Sequence, residues 1–130
     1  MTTKRRPDLI KGVGIDLIEI DRIRESLIEY GVHFTRRLFT KKEIEYCEKQ
    51  EDSATRFAGR FAAKEAIAKA LGTGFGEELS FLDLEILPNT KGAPQLTFSK
   101  QADEKFKKPK IHLSISHNRK DAIAIALWYD

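Results

Sequence analysis

The sequence predicts an α+β fold in which a small antiparallel sheet packs on one long helix, and three observations predict it. Two alternating runs, residues 111–117 and 122–129, are joined by the short polar segment NRKD, which is typical of a β-hairpin. An alanine-rich stretch over residues 54–72 ends in a glycine and predicts the long helix. A glycine-punctuated apolar run over residues 12–20 predicts a further strand.

The other elements follow from capping and turn residues. Thr40 and Glu43 have the spacing of a capping box, and Gly31 is a stop signal after an apolar-periodic stretch. Asp52 or Ser53 can cap the long helix. The remaining predicted elements are helices over residues 21–31, 41–49 and 101–108 and strands over residues 83–87 and 95–98.

The bulk composition describes one ordinary globular domain. The chain has 130 residues, of which 41% are hydrophobic and 33% charged. No apolar run approaches the roughly 20 residues that a membrane span needs, and no apolar signal region follows the basic N-terminus. The single cysteine, Cys47, cannot form an internal disulfide, which fits a reducing compartment. We therefore expect a cytoplasmic protein without membrane contact.

The basic residues cluster in the first third of the chain. The net charge of +3, from 23 basic and 20 acidic residues, does not require a nucleic-acid partner. The cluster could face a polyanion or an acidic protein, although a solvated, partly salt-bridged surface is the commoner explanation. Its members are Arg22, Arg24, Arg36, Arg37, Lys41 and Lys42.

Asp16 is a carboxylate inside an apolar strand. In strand geometry it shares one face with Gly14 and Ile18. A carboxylate on such a face is costly to bury unpaired, so it needs a hydrogen-bond donor or a cation. A turn cap or an arginine partner would satisfy this need as well as a metal ion, and the segment alone leaves these alternatives open.

Glu65 and Lys69 are one helical turn apart on the long helix. A pair at this spacing is most often a surface salt bridge, which stabilises a helix by about 0.3–0.5 kcal/mol. The surrounding alanines make the helix narrow, as in a helix that packs closely on several sides. Arg56, Arg60 and Lys64 add a basic row at four-residue spacing. A metal-binding glutamate flanked by cations for phosphates is therefore the alternative to a surface salt bridge.

Two further features have structural explanations. His117 ends an apolar strand face, where a histidine is more often a satisfied core residue than a catalytic one. The segment GTGFG at residues 72–76 looks like a nucleotide loop, but it follows a helix, where carbonyls are exposed and the helix dipole is negative. A dinucleotide loop or P-loop needs the opposite order, so we exclude both.

Three strings resemble the signatures of a known family in order and spacing. They are GVGIDLIEIDRI, FAGRFAAKEAIAKALGTGF and LSISH. The chain resembles the holo-acyl-carrier-protein synthases, the small bacterial 4′-phosphopantetheinyl transferases, over nearly all of its length from Gly12 onward. The resemblance implies a single transferase domain over residues 12–130. It leaves residues 1–11 as an N-terminal leader, which could be a start-site difference, a disordered tail or an additional contact.

The resemblance also implies an activity and a site. Family members move the 4′-phosphopantetheine group of coenzyme A onto a serine of apo-acyl carrier protein in fatty acid biosynthesis, and release adenosine 3′,5′-bisphosphate. Asp16 and Glu65 match the two carboxylates that hold Mg²⁺, while Lys69 and His117 match the family lysine and histidine. Similar proteins are homotrimers with active sites between subunits. Arg22 falls on the arginine of the helix that docks the carrier protein.

Roles follow when this site is combined with the residue chemistry. Lys69 would add a positive charge at the coenzyme A pyrophosphate, and Arg60 and Lys64 are further candidates for its other phosphates. His117 is expected to bind or orient coenzyme A. The serine proton could pass to Glu65 or to a metal-bound water, and the sequence leaves this choice open.

Three interpretations of the function compete. The transferase interpretation gives the cluster of Arg22, Arg24, Arg36 and Arg37 a role in docking the acidic carrier protein. A small basic nucleic-acid-binding protein is the first alternative, but the interleaved aromatic residues of a stacking platform are not evident. The second is an inactive interaction module, against which the joint presence of Asp16, Glu65 and Lys69 argues.

Overall fold

The computed structural model describes residues 9–130 and confirms the predicted α+β class. In chain order the elements are β1 (Ile10–Glu19), α1 (Ile20–Tyr30), α2 (Val32–Leu38), α3 (Lys41–Glu48), α4 (Ser53–Leu71), a 3-10 turn (Phe81–Asp83), β2 (Leu84–Pro88), β3 (Pro94–Phe98), α5 (Lys100–Lys105), β4 (Lys110–His117) and β5 (Asp121–Tyr129). β1 begins two residues before the predicted domain boundary at residue 12. Residues 1–8 of the predicted leader lie outside the described residues.

The strands form two antiparallel sheets. β5 lies in the centre of a three-stranded sheet of order β1-β5-β4, and β2 and β3 form a separate two-stranded sheet. The hairpin of β4 and β5 was predicted, whereas the pairing of β1 with β5 joins the two ends of the chain. In this register Asp16 lies opposite Ala124 and Glu19 opposite Asp121. The pairing therefore places the first and last strands of the domain side by side.

β1 lies unusually close to α4 because two of its residues are glycines. A Cβ on Gly14 would overlap the carbonyl oxygen of Ala66 and lie 2.7 Å from the amide nitrogen of Ala70. A Cβ on Gly12 would overlap the carbonyl oxygen of Ala70. Only glycine permits this approach of strand to helix backbone.

α4 is buried on nearly all sides, which explains its many alanines. One group of core residues lies between α4, the three-stranded sheet and the β2–β3 sheet, and a second lies between α4 and helices α1 to α3. Alanine lets neighbouring elements approach closely and has the best helix propensity. The buried alanines of this helix are Ala54, Ala58, Ala62, Ala63, Ala66, Ala68 and Ala70.

The predicted caps are present at the helix ends, but one helix was not predicted and another is shorter than predicted. Thr40 and Glu43 form the predicted capping box, and Asp52 rather than Ser53 caps α4, accepting a hydrogen bond from the Thr55 amide. Gly31 ends α1 as predicted, but its φ of 52° turns the chain directly into α2, which the sequence did not predict. α5 is shorter than predicted because Lys107 and Lys108 adopt positive φ angles.

On β1 and β5, the face of the three-stranded sheet that points away from α4 is apolar and exposed. Its residues alternate with those that face α4, as strand geometry requires. The exposed fractions are 54% for Val13, 55% for Ile15 and 63% for Leu17 on β1. Ile123 and Ile125 extend the same face onto β5. We refer to these five side chains as the open sheet face.

None of the helices within residues 9–130 combines the length and the apolar character that a bilayer crossing requires.

Candidate functional site

A cleft beside β1 and α4 collects the predicted metal ligands and the predicted catalytic lysine. β1 contributes Asp16, and successive turns of α4 contribute Phe61, Glu65 and Lys69, because these three residues are spaced by four. The turn before β5 closes the cleft at its other side. The complete lining is Asp16, Leu17, Ile18, Glu19, Asp21, Arg22, Phe61, Glu65, Lys69, Lys120 and Asp121. We refer to this surface as the carboxylate cleft.

The partner of Asp16 is Lys69. Its Nζ donates to Oδ1 of Asp16 at 3.1 Å and to the carbonyl oxygen of Ile15 at 2.9 Å. Asp16 is largely enclosed, with 17% of its side chain exposed, whereas half of the Lys69 side chain is accessible. The requirement that Asp16 have a cationic or hydrogen-bonding partner is therefore met by an ammonium at the rim of the cleft.

Glu65 lies next to Asp16 without a cation of its own. Burial raises the pKa of Glu65, the nearby charge of Asp16 raises it further, and Lys69 only partly opposes the shift. Within residues 9–130 Lys69 forms an ion pair with Asp16 and none with Glu65. The surface salt bridge that the four-residue spacing favours is thus replaced by a contact between helix and strand.

The donor set of the cleft fits a magnesium ion that is also held by a substrate. Among the described residues no group of three or more histidines, cysteines or acidic residues could hold a metal by itself. Mg²⁺ is commonly bound by one or two carboxylates and completed by phosphates and water. Burial raises the pKa of Glu65 most and the charge of Asp16 raises it further, so a cation beside both carboxylates would be favourable.

His117 lies outside the carboxylate cleft of its own chain. It is an exposed residue at the end of β4, so it is not the satisfied core histidine that the sequence favoured. It lines a second, polar cavity together with Arg56 and Arg119. Asp52, which caps α4, is part of the same cavity.

Arg60 and Lys64 are not brought to the cleft. Nε of Arg60 donates to the carbonyl oxygen of Ile86 at 3.0 Å, and its guanidinium lies over the Tyr46 ring. Lys64 is completely buried, with its Nζ 2.7 Å from the carboxylate of Glu43. Both residues lie on the side of α4 that faces α3 and β2. Their donors are used inside the protein, so we do not retain the expectation that they bind phosphates.

The four arginines expected to dock a carrier protein are all exposed, but they differ in their surroundings. Arg22 lines the carboxylate cleft. Arg24 is held by Asp21, at 3.5 Å, and by Asp52, at 3.3 Å. Arg36 and Arg37 lie on α2, on opposite sides of which two separate surface cavities open.

Sequence reasoning missed the contribution of the last turn to the cleft. Lys120 and Asp121 reach it because β1 pairs with β5, which sets Glu19 opposite Asp121. The backbone amide of Ile20 also donates to the Lys120 carbonyl at 2.8 Å. Long-range pairing of this kind leaves no local pattern, so the only available signal was the hairpin itself.

Comparison with known proteins gives consistent relatives over nearly the whole chain. A holo-[acyl-carrier-protein] synthase of Protochlamydia amoebophila is 47% identical over 117 residues, which cover 90% of this chain and 96% of the relative. One of Clostridium tetani is 49% identical over 122 residues, covering 92% and 95%.

Solved structures agree with these relatives. A holo-(acyl-carrier-protein) synthase from Bacillus anthracis, in complex with CoA (3′,5′-ADP), has a TM-score of 0.81 at 38% identity and covers 94% of this chain and 98% of its own. The Helicobacter pylori enzyme in complex with coenzyme A gives the same TM-score and identity over 89% and 98%. The family model of the 4′-phosphopantetheinyl transferase superfamily matches residues 12–126. This chain belongs to the 4′-phosphopantetheinyl transferase superfamily and is similar to its holo-acyl-carrier-protein synthases.

Proposed function

We propose that this protein transfers 4′-phosphopantetheine from coenzyme A to a serine of apo-acyl carrier protein, giving holo-acyl carrier protein and adenosine 3′,5′-bisphosphate. The observation that carries the proposal is the convergence of Asp16, Glu65 and Lys69 in one cleft. The relatives are holo-acyl-carrier-protein synthases, and two of the solved ones hold coenzyme A or its 3′,5′-ADP part. The reaction belongs to fatty acid biosynthesis, which uses the holo form of the carrier.

Asp16 and Glu65 would hold a Mg²⁺ ion, with the coenzyme A pyrophosphate completing its ligands. When bound, the ion supplies positive charge that stabilises the phosphoryl-transfer transition state. Lys69 adds a further positive charge at the rim of the cleft, where its ammonium can turn from Asp16 toward a phosphate. Its position is fixed by the Ile15 carbonyl, which would continue to accept a hydrogen bond from it.

The carboxylates also have a role in removing the proton of the attacking serine. In the metal-free protein the pKa of Glu65 is raised by burial and by the charge of Asp16, and a bound cation would lower it again, so Glu65 is a candidate base because of its place in the cleft. The serine proton passes either to Glu65 or to a water held by these carboxylates. Both routes need an ionised Glu65 at the start of the reaction.

The placement of His117 outside the lining of the carboxylate cleft supports a multi-subunit enzyme. His117 lines a separate, polar cavity in which Arg56 and Arg119, whose side chains are suited to phosphates, lie together with Glu51 and Asp52. We propose a homotrimer in which this cavity of one subunit completes the carboxylate cleft of the next, so that His117 helps to bind coenzyme A. The open sheet face supports this assembly, because a contiguous exposed apolar face marks an interaction surface.

The acidic carrier protein would dock on α1 and α2. Arg22, Arg36 and Arg37 are free to steer an acidic partner toward the cleft, and Arg24 would do so from its contact with Asp52. Ile28 offers an apolar contact beside them, since 81% of it is exposed. This arrangement favours orientation of the carrier more than raw affinity.

A cytoplasmic location is part of the proposal. The single cysteine, Cys47, is buried and unpaired. Burial raises the pKa of its thiol to about 12, so it is unreactive and makes no redox contribution. A reduced thiol and the use of coenzyme A both fit the cytoplasm.

The experiment is a mass measurement. The protein is incubated with apo-acyl carrier protein, coenzyme A and Mg²⁺, and the carrier is expected to gain the mass of one phosphopantetheine. Glu104→Ala, at an exposed position of α5, serves as a control that should behave as the wild type. A folded wild type that leaves its cognate carrier unmodified would contradict the proposal and favour an inactive interaction module.

A further inference from the structure

Lys64 places a charged ammonium in the core of the domain. Its side chain is fully buried, and Nζ donates to the carbonyl oxygen of Leu38 at 2.7 Å and to Oε1 of Glu43 at 2.7 Å. A third hydrogen bond goes to the carbonyl oxygen of Phe81 at 3.0 Å. An ammonium has three donors, and all three are used. The residue therefore has a role inside the protein, although it directly precedes Glu65.

Both carboxylate oxygens of Glu43 also accept hydrogen bonds. Its Oε1 accepts hydrogen bonds from Lys64 and from the Thr40 amide, the latter at 2.8 Å, and its Oε2 accepts one from the Ile86 amide at 2.8 Å. The pair thus ties the start of α3 and the strand β2 to α4. A buried ion pair is weak evidence for a gain in stability, because apolar residues of similar volume often serve as well. Its value here lies in fixing positions.

The position of Phe81 connects this pair to the carboxylate cleft. The Phe81 ring stacks on the Phe75 ring with a centroid distance of 3.8 Å, and on the Phe61 ring at 5.7 Å with an angle of 23° between the planes. Phe61 lines the cleft one helical turn before Glu65. The hydrogen bond from Lys64 holds the backbone of Phe81. Because the Phe81 ring stacks on the Phe61 ring, the position of Phe81 also affects the position of Phe61 in the cleft wall.

We propose that Lys64 is a positioning residue for the transfer reaction, which fixes the 3-10 turn so that the stacked Phe75 and Phe81 rings support the Phe61 ring, and Phe61 is the part of the stack that lines the carboxylate cleft and against which coenzyme A is held. The inference rests on the proposed function and deepens it. Lys64 acts through the turn and the rings, and it touches no substrate. A change at Lys64 would displace the surface that binds coenzyme A, so it should weaken the binding of coenzyme A and leave the binding of the carrier protein unchanged.

Phe81→Leu tests the wall directly. This change removes the ring but keeps the backbone carbonyl that accepts from Lys64. The KM for coenzyme A should rise about tenfold while kcat changes by less than about threefold, since a misplaced binding surface costs affinity before it costs chemistry. Titration calorimetry with coenzyme A and Mg²⁺ should show the same rise in Kd. The KM for the carrier should stay unchanged.

Lys64→Met tests the link between the pair and the wall. It should raise the coenzyme A KM to a similar extent, and combining it with Phe81→Leu should add little, because both act through one stack. Ala102→Gly is the matched control, since it disturbs a buried residue of α5 away from the cleft. That variant should lose thermal stability with no change in KM or Kd.

The outcomes separate this inference from the proposed function. Phe81→Leu with wild-type KM and Kd for coenzyme A would overturn the positioning role, whether or not Lys64→Met folds. Additive effects of the two changes would overturn the link through the stack. A wild type that modifies no carrier would instead contradict the proposed function, and coenzyme A binding to Phe81→Leu would still decide the positioning role.

Discussion

Lys69 on α4 donates its ammonium to Asp16 on β1 at 3.1 Å, across 53 positions of sequence. The contact gives Asp16 a partner and leaves Glu65, one helical turn away from Lys69, without an ion pair in the described part of the chain. At this point of the cleft two neighbouring carboxylates, Asp16 and Glu65, therefore share one ammonium. This arrangement has room for one more positive charge, which is the basis of the proposed metal site.

Replacing Lys69 with methionine should lower kcat/KM by about 100-fold, because the cleft would lose a positioned charge that acts on the pyrophosphate. Steady-state kinetics with coenzyme A as the varied substrate measures the loss. Lys69→Arg is the matched variant and should recover part of the activity, because it keeps the charge. If Lys69→Met and the wild type have equal kcat/KM, the ammonium has no part in the reaction.

Glu65 should make the folding stability of the metal-free protein decrease as the pH rises. Its pKa is raised in the folded state, so the stability that its protonated form contributes is present below the ordinary glutamate pKa and is lost as pH rises through the raised value. The thermal midpoint of the wild type should therefore fall relative to that of Glu65→Gln across this window. Mg²⁺ should reduce the difference between the two. Parallel midpoint curves at every pH would contradict the raised pKa.

Gly14 should tolerate no larger residue. The Cβ of Gly14→Ala would meet the backbone of Ala66 and Ala70, which cannot move as a flexible side chain can. We expect a loss of about 1–3 kcal/mol in the free energy of unfolding, measured by urea denaturation, together with a loss of activity, because β1 also carries Asp16. Gly76→Ala is the control, since a Cβ there has open space around it. Equal stability of the two variants would show that β1 and α4 are not in close contact.

The open sheet face should control assembly. Val13→Arg places a charge on the exposed apolar face of β1, outside the lining of the carboxylate cleft, and should convert a trimer into monomers, as measured by sedimentation velocity. Activity should fall with assembly, because the proposed site needs His117 of a neighbouring subunit. Ile28→Arg introduces the same charge on α1 and should leave the trimer intact. A wild-type protein that sediments as an active monomer would refute the proposed assembly.

Local signals predicted the parts of the fold that depend on neighbouring residues. The capping box of Thr40 and Glu43, the glycine stop at Gly31 and the last hairpin were correct because caps and turns need only a few adjacent positions. α2 was missed because it is seven residues long and has no side-chain cap. α2 begins directly after the end of α1, so no loop sequence between the two helices indicated a second helix.

The candidate site shows where local signals fail. The spacing of Glu65 and Lys69 correctly put them on one face of α4, but it could not show that Lys69 pairs with Asp16, which depends on the packing of β1. Arg60 and Lys64 share the same four-residue spacing and yet are buried against α3 and β2. A helix that is buried on nearly all sides has only a small solvated part, so charge spacing does not reveal which of its cations remain accessible.

The dependence of the transfer reaction on Mg²⁺ tests the central claim most directly, because the claim is that Asp16 and Glu65 together hold the ion. The rate of phosphopantetheine addition, followed by the mass of the carrier protein, would be measured against Mg²⁺ concentration for the wild type, Asp16→Asn and Glu65→Gln. We expect a saturable Mg²⁺ dependence in the wild type and a rate lower by about 100-fold or more in both variants, with neither restored by added Mg²⁺. Wild-type rates and the same half-saturating Mg²⁺ concentration in either variant would contradict the site.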